Sequence, residues 1–170
     1  MHWLIDGYNV IRRDAELRDR ETTGLEAGRA GLLGLVAGVA REVSDDFIVV
    51  FDGARRVGSA PGGGRVQVMF SRPPETADDV LRRLAVTYRE GGVVVTSDRA
   101  VLDSAHRAGA VGVRSEAFLA AARRRAAGED PDEGEEEDDD DTRERRGGPP
   151  RRPSREARAA ARVLRRLAGH

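Results

Sequence analysis

Four aspartates fall where carboxylate chemistry could be done. Asp6 closes the apolar run Trp3-Leu4-Ile5, Asp52 closes Phe47 to Phe51, and Asp98 follows Val93-Val94-Val95 after Thr96 and Ser97. A further acid comes from SRPPETADD, where Asp78 and Asp79 are adjacent. Acids at the ends of different strands converge if the strands are parallel, because such a sheet gathers its C-terminal strand ends on the edge where open α/β folds hold ligands. Clustered carboxylates repel one another and are costly to hold together without a cation. With no Cys and only three scattered His (His2, His106 and His170), the donor set is all oxygen, which favours Mg2+ or Mn2+. By one-metal or two-metal catalysis, such a site generates a hydroxide nucleophile and stabilises charge on a scissile phosphate. A phosphodiester is the expected substrate.

Helical geometry separates the two adjacent acids. With Thr76 as N-cap, Asp79 takes the third helical position, reaches back to the Thr76 backbone as in a capping box, and shares a face with Arg82 and Arg83. Asp78 lies one position back, beside the stripe of Ala77, Leu81, Leu84 and Tyr88 that must face the sheet, so its carboxylate tilts toward the strand ends. The expected catalytic and metal-holding set is therefore Asp6, Asp78 and Asp98. Asp52, followed by the turn residue Gly53, is expected in support. Gly7 permits a close backbone approach, Asn9 is suited to bonding a ligating carboxylate or the scissile phosphate, and Ser97 to holding phosphate or ordering the strand end. Thr96 is expected to be structural, and Tyr8 to be a packed aromatic rather than a platform for a base.

The elements that must position these residues alternate in type. Near-continuous apolar runs at 3–5, 47–51, 66–70, 93–95 and 111–113 suit strands buried on both faces. Helical spacing appears over 25–43, 76–89, 98–108 and 115–127, the first of these weakened by its glycines at up to about 1 kcal/mol each. The alternation predicts an α/β fold in three layers around a mostly parallel sheet with right-handed crossovers, over residues 1–127. The segment GSAPGGG (58–64) reads as a flexible connection.

Charged residues make up 35% of the chain but the net charge is -1, so the signs must be read locally. Residues 128–154 run from an acidic block to a basic one, cannot bury enough apolar surface to offset ordering entropy, and are expected to be a disordered linker. Residues 155–170 recover helical spacing as a short Arg-rich helix. All 29 Lys+Arg residues are arginine. That uniformity fits a coding bias, so Arg content alone is no evidence for nucleic acid. The N-terminus lacks a basic region followed by a long apolar run, and no stretch approaches the roughly 20 apolar residues of a membrane span. With no Cys, the expectation is a cytoplasmic protein away from membranes.

Taken in order and spacing, IDGYNV (5–10), VVFDG (49–53), ETADD (75–79) and VVTSDR (94–99) resemble the YacP-like branch of the NYN domain family, related to PIN nucleases. The resemblance covers roughly residues 1–127 and implies a PIN-like fold and metal-dependent endoribonuclease activity. It maps the family's acids onto Asp6, Asp78 and Asp98, with Asp52 in support. In a characterised branch, related proteins associate with the ribosome and cut mRNA during translation, which makes RNA, mRNA in particular, and the ribosome the implied partners. A second reading is a catalytically weak RNA-binding or ribosome-binding module with the same fold. A third, a phosphohydrolase or receiver-like protein, is disfavoured because Asp6 is followed by Gly7-Tyr8 rather than a DxD arrangement, and no Lys is present. Oligomeric state is left open.

Overall fold

A computed structural model describes residues 1–53, 64–128 and 153–169. Most of the linker expected over 128–154 and of the glycine-rich 58–64 lies outside these residues. Strands β1 (His2–Asp6), β2 (Asp46–Phe51), β3 (Val66–Phe70), β4 (Gly92–Val95) and β5 (Val111–Val113) match the five apolar runs. They form one sheet in the order β3-β2-β1-β4-β5, and every neighbouring pair is parallel. Chain order reverses between β1 and β4, which opens a crevice at their C-terminal ends.

Helices α1 (Gly7–Arg13), α2 (Ala15–Thr23), α3 (Leu25–Glu42), α4 (Ala77–Tyr88), α5 (Arg99–Arg107), α6 (Ser115–Ala127) and α7 (Arg155–Ala168) cover both faces. Alternate strand residues sort into two cores, as the two-residue period of a strand requires. On one face Leu4, Ile48, Val50 and Val94 meet α4 and α5 through Leu81, Leu84, Val101 and Ala105. On the other, Trp3, Ile5, Phe47, Val49 and Val95 meet Val10, Leu32, Val36, Phe118 and Val163. The result is the expected three-layer α/β sandwich. No helix among the described residues is long and apolar enough to cross a membrane.

Helices α1 and α2 were not expected, because residues 7–23 carry little apolar periodicity. They form through caps supplied by acids: Asp6 accepts the Asn9 amide at 3.1 Å, and Asp14 accepts the Leu17 amide at 2.9 Å. Arg123 of α6 then ion-pairs with Asp14 at 2.7 Å. The glycines of α3, which weaken it as an isolated helix, let α2 approach. A Cβ at Gly31 would stand 2.9 Å from Leu17 Cδ2, and one at Gly28 3.1 Å from Glu21 Cβ.

Candidate active site

Asp6 ends β1 at the middle of the sheet and is only 8% exposed. One carboxylate oxygen caps α1, and the other accepts the Thr96 hydroxyl at 3.0 Å. Thr96, fully buried after β4, also accepts the Asp98 amide at 3.1 Å. One hydroxyl therefore ties two acids together across neighbouring strands. Asp98 caps α5 by accepting the amides of Ala100 (2.8 Å) and Val101 (3.1 Å) through Oδ1.

Asp52 is exposed just after β2, and its Oδ1 accepts the Ser71 hydroxyl at 2.8 Å and the Ala77 amide at 2.6 Å. It thereby fixes the first turn of α4, which carries the two adjacent acids. Asp79 completes the expected capping box with Thr76 and pairs with Arg82 at 3.2 Å. Arg83 pairs instead with Glu75. Asp78 is half-buried, with Arg82 3.6 Å away.

The charges of these acids register on one another. Burial, then the negative charges of Asp78 and Asp52, push the Asp6 pKa up, while the Asn9 amide and the Thr96 hydroxyl pull it part of the way back. Burial, then the charges of Asp98, Asp52 and Asp79, raise Asp78 against the opposing Arg82. Asp6, Asp52, Asp78 and Asp98 thus form one electrostatically coupled group on the C-terminal edge of the sheet.

The polar neighbours take parts that the sequence did not specify. The Asn9 side chain accepts the Ser97 amide and the Ser115 hydroxyl, each at 2.9 Å, joining α1, the end of β4 and the start of α6. Only its backbone amide reaches a carboxylate. The Ser97 hydroxyl donates to Glu116 at 2.6 Å and accepts the Ser115 amide at 3.2 Å, so it is committed within the protein. Glu116 went unnoticed in the sequence, where it is an ordinary first-turn acid. Although burial opposes ionisation, its bonds from Ser97 and its own backbone amide, with Arg13 and Arg114 nearby, hold its pKa below the usual range.

Tyr8 packs edge-on against Phe51 as expected, with ring centroids 5.2 Å apart, and its hydroxyl accepts from Arg29. Arg29 is 7% exposed and has no carboxylate partner among the described residues. It lies over the rings of Tyr8, Phe51 and Phe70, whose π faces partly compensate its charge.

The donor chemistry fits a hard divalent cation. Every acid in the group offers oxygen, two have their pKa values raised by burial and then by their neighbours' charge, and Asp52 and Asp98 each keep one carboxylate oxygen without a hydrogen-bond donor among the described residues. Among these residues no group of three or more His, Asp or Glu is already drawn close enough to grip a bare ion. A hydrated Mg2+ needs only one or two direct carboxylates and keeps several waters.

A family model described as the YacP-like NYN domain matches residues 3–151. The protein YacP of Bacillus subtilis (strain 168), described as uncharacterized, is 32% identical over 84 residues, 48% of this chain and 49% of that protein. The chain thus spans about half the length of the curated relative it matches. The crystal structure of Rae1 (YacP) from Bacillus subtilis covers 72% of this chain and 73% of its own at 26% identity, with a TM-score of 0.63. A point mutant of the same protein gives 27% identity and a TM-score of 0.62, over 72% of this chain and 74% of its own.

Proposed function

The chain belongs to the YacP-like NYN domain family, a nuclease-like family with a PIN-like fold, and from that premise we propose that it is a metal-dependent endoribonuclease. Asp6, Asp78 and Asp98 would hold Mg2+ or Mn2+, with Asp52 in support. The observation that carries this reading is the gathering of four carboxylates on the ligand-binding edge of a parallel sheet, where the charges of Asp52, Asp78 and Asp98 act on Asp6 or Asp78. Carboxylates that raise one another's pKa are costly to hold ionised together unless a cation compensates them.

When bound, the cation would supply charge neutralisation at the scissile phosphate and acidify an attacking water. The chain's own residues set the geometry. Thr96 orients Asp6 and holds the turn that bears Asp98, the α5 amides fix the Asp98 carboxylate, and Asp52 locks the first turn of α4 beneath Asp78. Asn9 and Ser97 act as positioning residues, joining the strand end to α6 rather than touching substrate. RNA is the substrate class, and mRNA engaged by a ribosome in the cytoplasm is the specific case we propose from family membership.

The test is cleavage of RNA by the purified full chain with Mn2+ or Mg2+, followed on a denaturing gel. Chelation abolishes cutting, and Asp78→Asn and Asp98→Asn each reduce it by more than about a hundredfold, the loss that outer-shell partners of a metal already approach. Retained cutting in both variants overturns the assignment. RNA binding without cleavage under any divalent cation returns the chain to the binding-module reading.

A further inference from the structure

Helix α7 lies outside the segment matched by the family model. Its inner face is docked. Val163, Leu167 and Ala168 are buried, Arg166 pairs with Asp45 at 2.9 Å, and Arg125 donates to the Leu167 carbonyl at 3.1 Å. At its first turn, His106 Nδ1 lies 3.9 Å from Glu156. These tethers share one end of the sheet. Asp45 immediately precedes β2, while Arg125 and His106 stand near the ends of α6 and α5, which run back from the edge that carries the catalytic acids.

The outer face of α7 carries Arg155, Arg158, Arg162 and Arg165, all exposed. At 3.6 residues per turn their spacing of three, four and three places them within an arc of about 80°, opposite the buried residues, over roughly 15 Å of helix. None of the four makes an ion pair or a side-chain hydrogen bond among the described residues. Glu156, the helix's one acid, is turned toward His106. A row of guanidinium groups on a docked helix suits successive phosphates rather than base edges, because phosphate contacts need charge and spacing but no sequence information.

We infer that this arginine row contacts the phosphate backbone of RNA away from the scissile bond, an inference that rests on the ribonuclease reading for the identity of its polyanion. The row lies on a helix packed against α6 and the edge strand β5, with its last turn tied to Asp45 just before β2, whereas the acids sit at the C-terminal ends of the strands, so the nucleotides held by α7 are not those being cut. Engagement of both by one RNA makes the second contact intramolecular and raises its effective concentration at the acids.

The experiment measures binding of fluorescently labelled polyuridylate to the full chain in chelator, by anisotropy, from about 50 to 200 mM salt. The variant carries Arg155→Gln, Arg158→Gln, Arg162→Gln and Arg165→Gln together, all helix-compatible changes on an exposed face. Four single-strand phosphate contacts contribute about -2.8 to the slope of log affinity against log salt, so over this fourfold salt rise the wild type loses about fiftyfold more affinity than the variant. Equal slopes for wild type and the four-Gln variant overturn the inference while leaving the ribonuclease reading intact. Wild-type binding with the expected slope but no cleavage in Mn2+ leaves the row in place and removes the ribonuclease reading. If wild type and variant differ in binding polyglutamate but not RNA, the face belongs to an acidic protein and the inference falls.

Discussion

Thr96 is the residue through which two of the acids feel each other's position, since its hydroxyl donates to Asp6 and accepts the amide of Asp98. Thr96→Val keeps the shape and leaves both partners short of a bond inside the protein. It is expected to cost about 1–3 kcal/mol in urea denaturation and to lower cleavage with Asp6 and Asp98 still present. A Val variant with unchanged stability would show that water replaces the hydroxyl.

The raised pKa of Asp78 carries a sign that can be checked. A carboxyl whose folded pKa is raised holds its proton more tightly when folded, so its unfavourable effect is absent at low pH. That effect grows as pH rises from the ordinary Asp value through the raised one. Asp78→Asn is therefore expected to raise the melting temperature near neutral pH, the gain disappearing on acidification below the ordinary Asp range. The group is partly exposed and also loses its Arg82 neighbour, so the gain stays under about 1 kcal/mol, or roughly 2–4 °C. A loss of activity with a gain in stability marks a residue kept for chemistry rather than for the fold. Thermal melts across the pH range decide it.

At the scale of elements, the strands and the longer helices were legible because their apolar periodicity is local. Helices α1 and α2 were not, since their caps are acids whose value depends on neighbours far along the chain. Gly7 illustrates the same limit. The sequence suggested a turn beside a ligand, but the structure uses the missing side chain to seat α1 on β2, where a Cβ would collide with the Phe51 ring. Gly7→Ala is expected to destabilise the chain by about 1–3 kcal/mol through overpacking, read from the urea midpoint. Because Asp6 caps α1, the variant should also impair cleavage by displacing that carboxylate.

At the scale of the whole molecule, Asp45 gathers parts of the chain that are remote in sequence. It is 2% exposed and accepts from the Met1 ammonium (2.7 Å), the Trp3 indole (3.0 Å) and Arg166 of α7 (2.9 Å). Burial alone would raise its pKa, and these three donors together pull it below the ordinary value. Its contribution is therefore present above the ordinary Asp pKa and is lost as pH falls through the depressed one. Asp45→Ala is expected to cost about 1–3 kcal/mol at neutral pH, because it leaves the buried Trp3 indole N–H without its acceptor and removes the carboxylate that ties Met1 and Arg166 together. The gap to wild type should narrow on acidification in chemical denaturation. Nothing in the sequence marked Asp45, which there is one of two acids before a strand.

The sequence by itself determined the five strands, the α/β class and the separation of Asp79 from Asp78. Each follows from side-chain period or capping chemistry within a few residues, which propensity and spacing register directly. Only the tertiary structure decided that Asp6 and Asp78 lie in the field of the other acids, that Thr96 links Asp6 to Asp98, and that Asn9 and Ser97 spend their side chains on the scaffold. It alone showed that α7 packs on α6 and the edge strand β5. Those facts depend on distances between residues as many as 121 positions apart, which are fixed by parallel strand order and by two-sided burial of the sheet. Electrostatic coupling falls off with distance in space, and a linear chain does not specify that distance until it has folded.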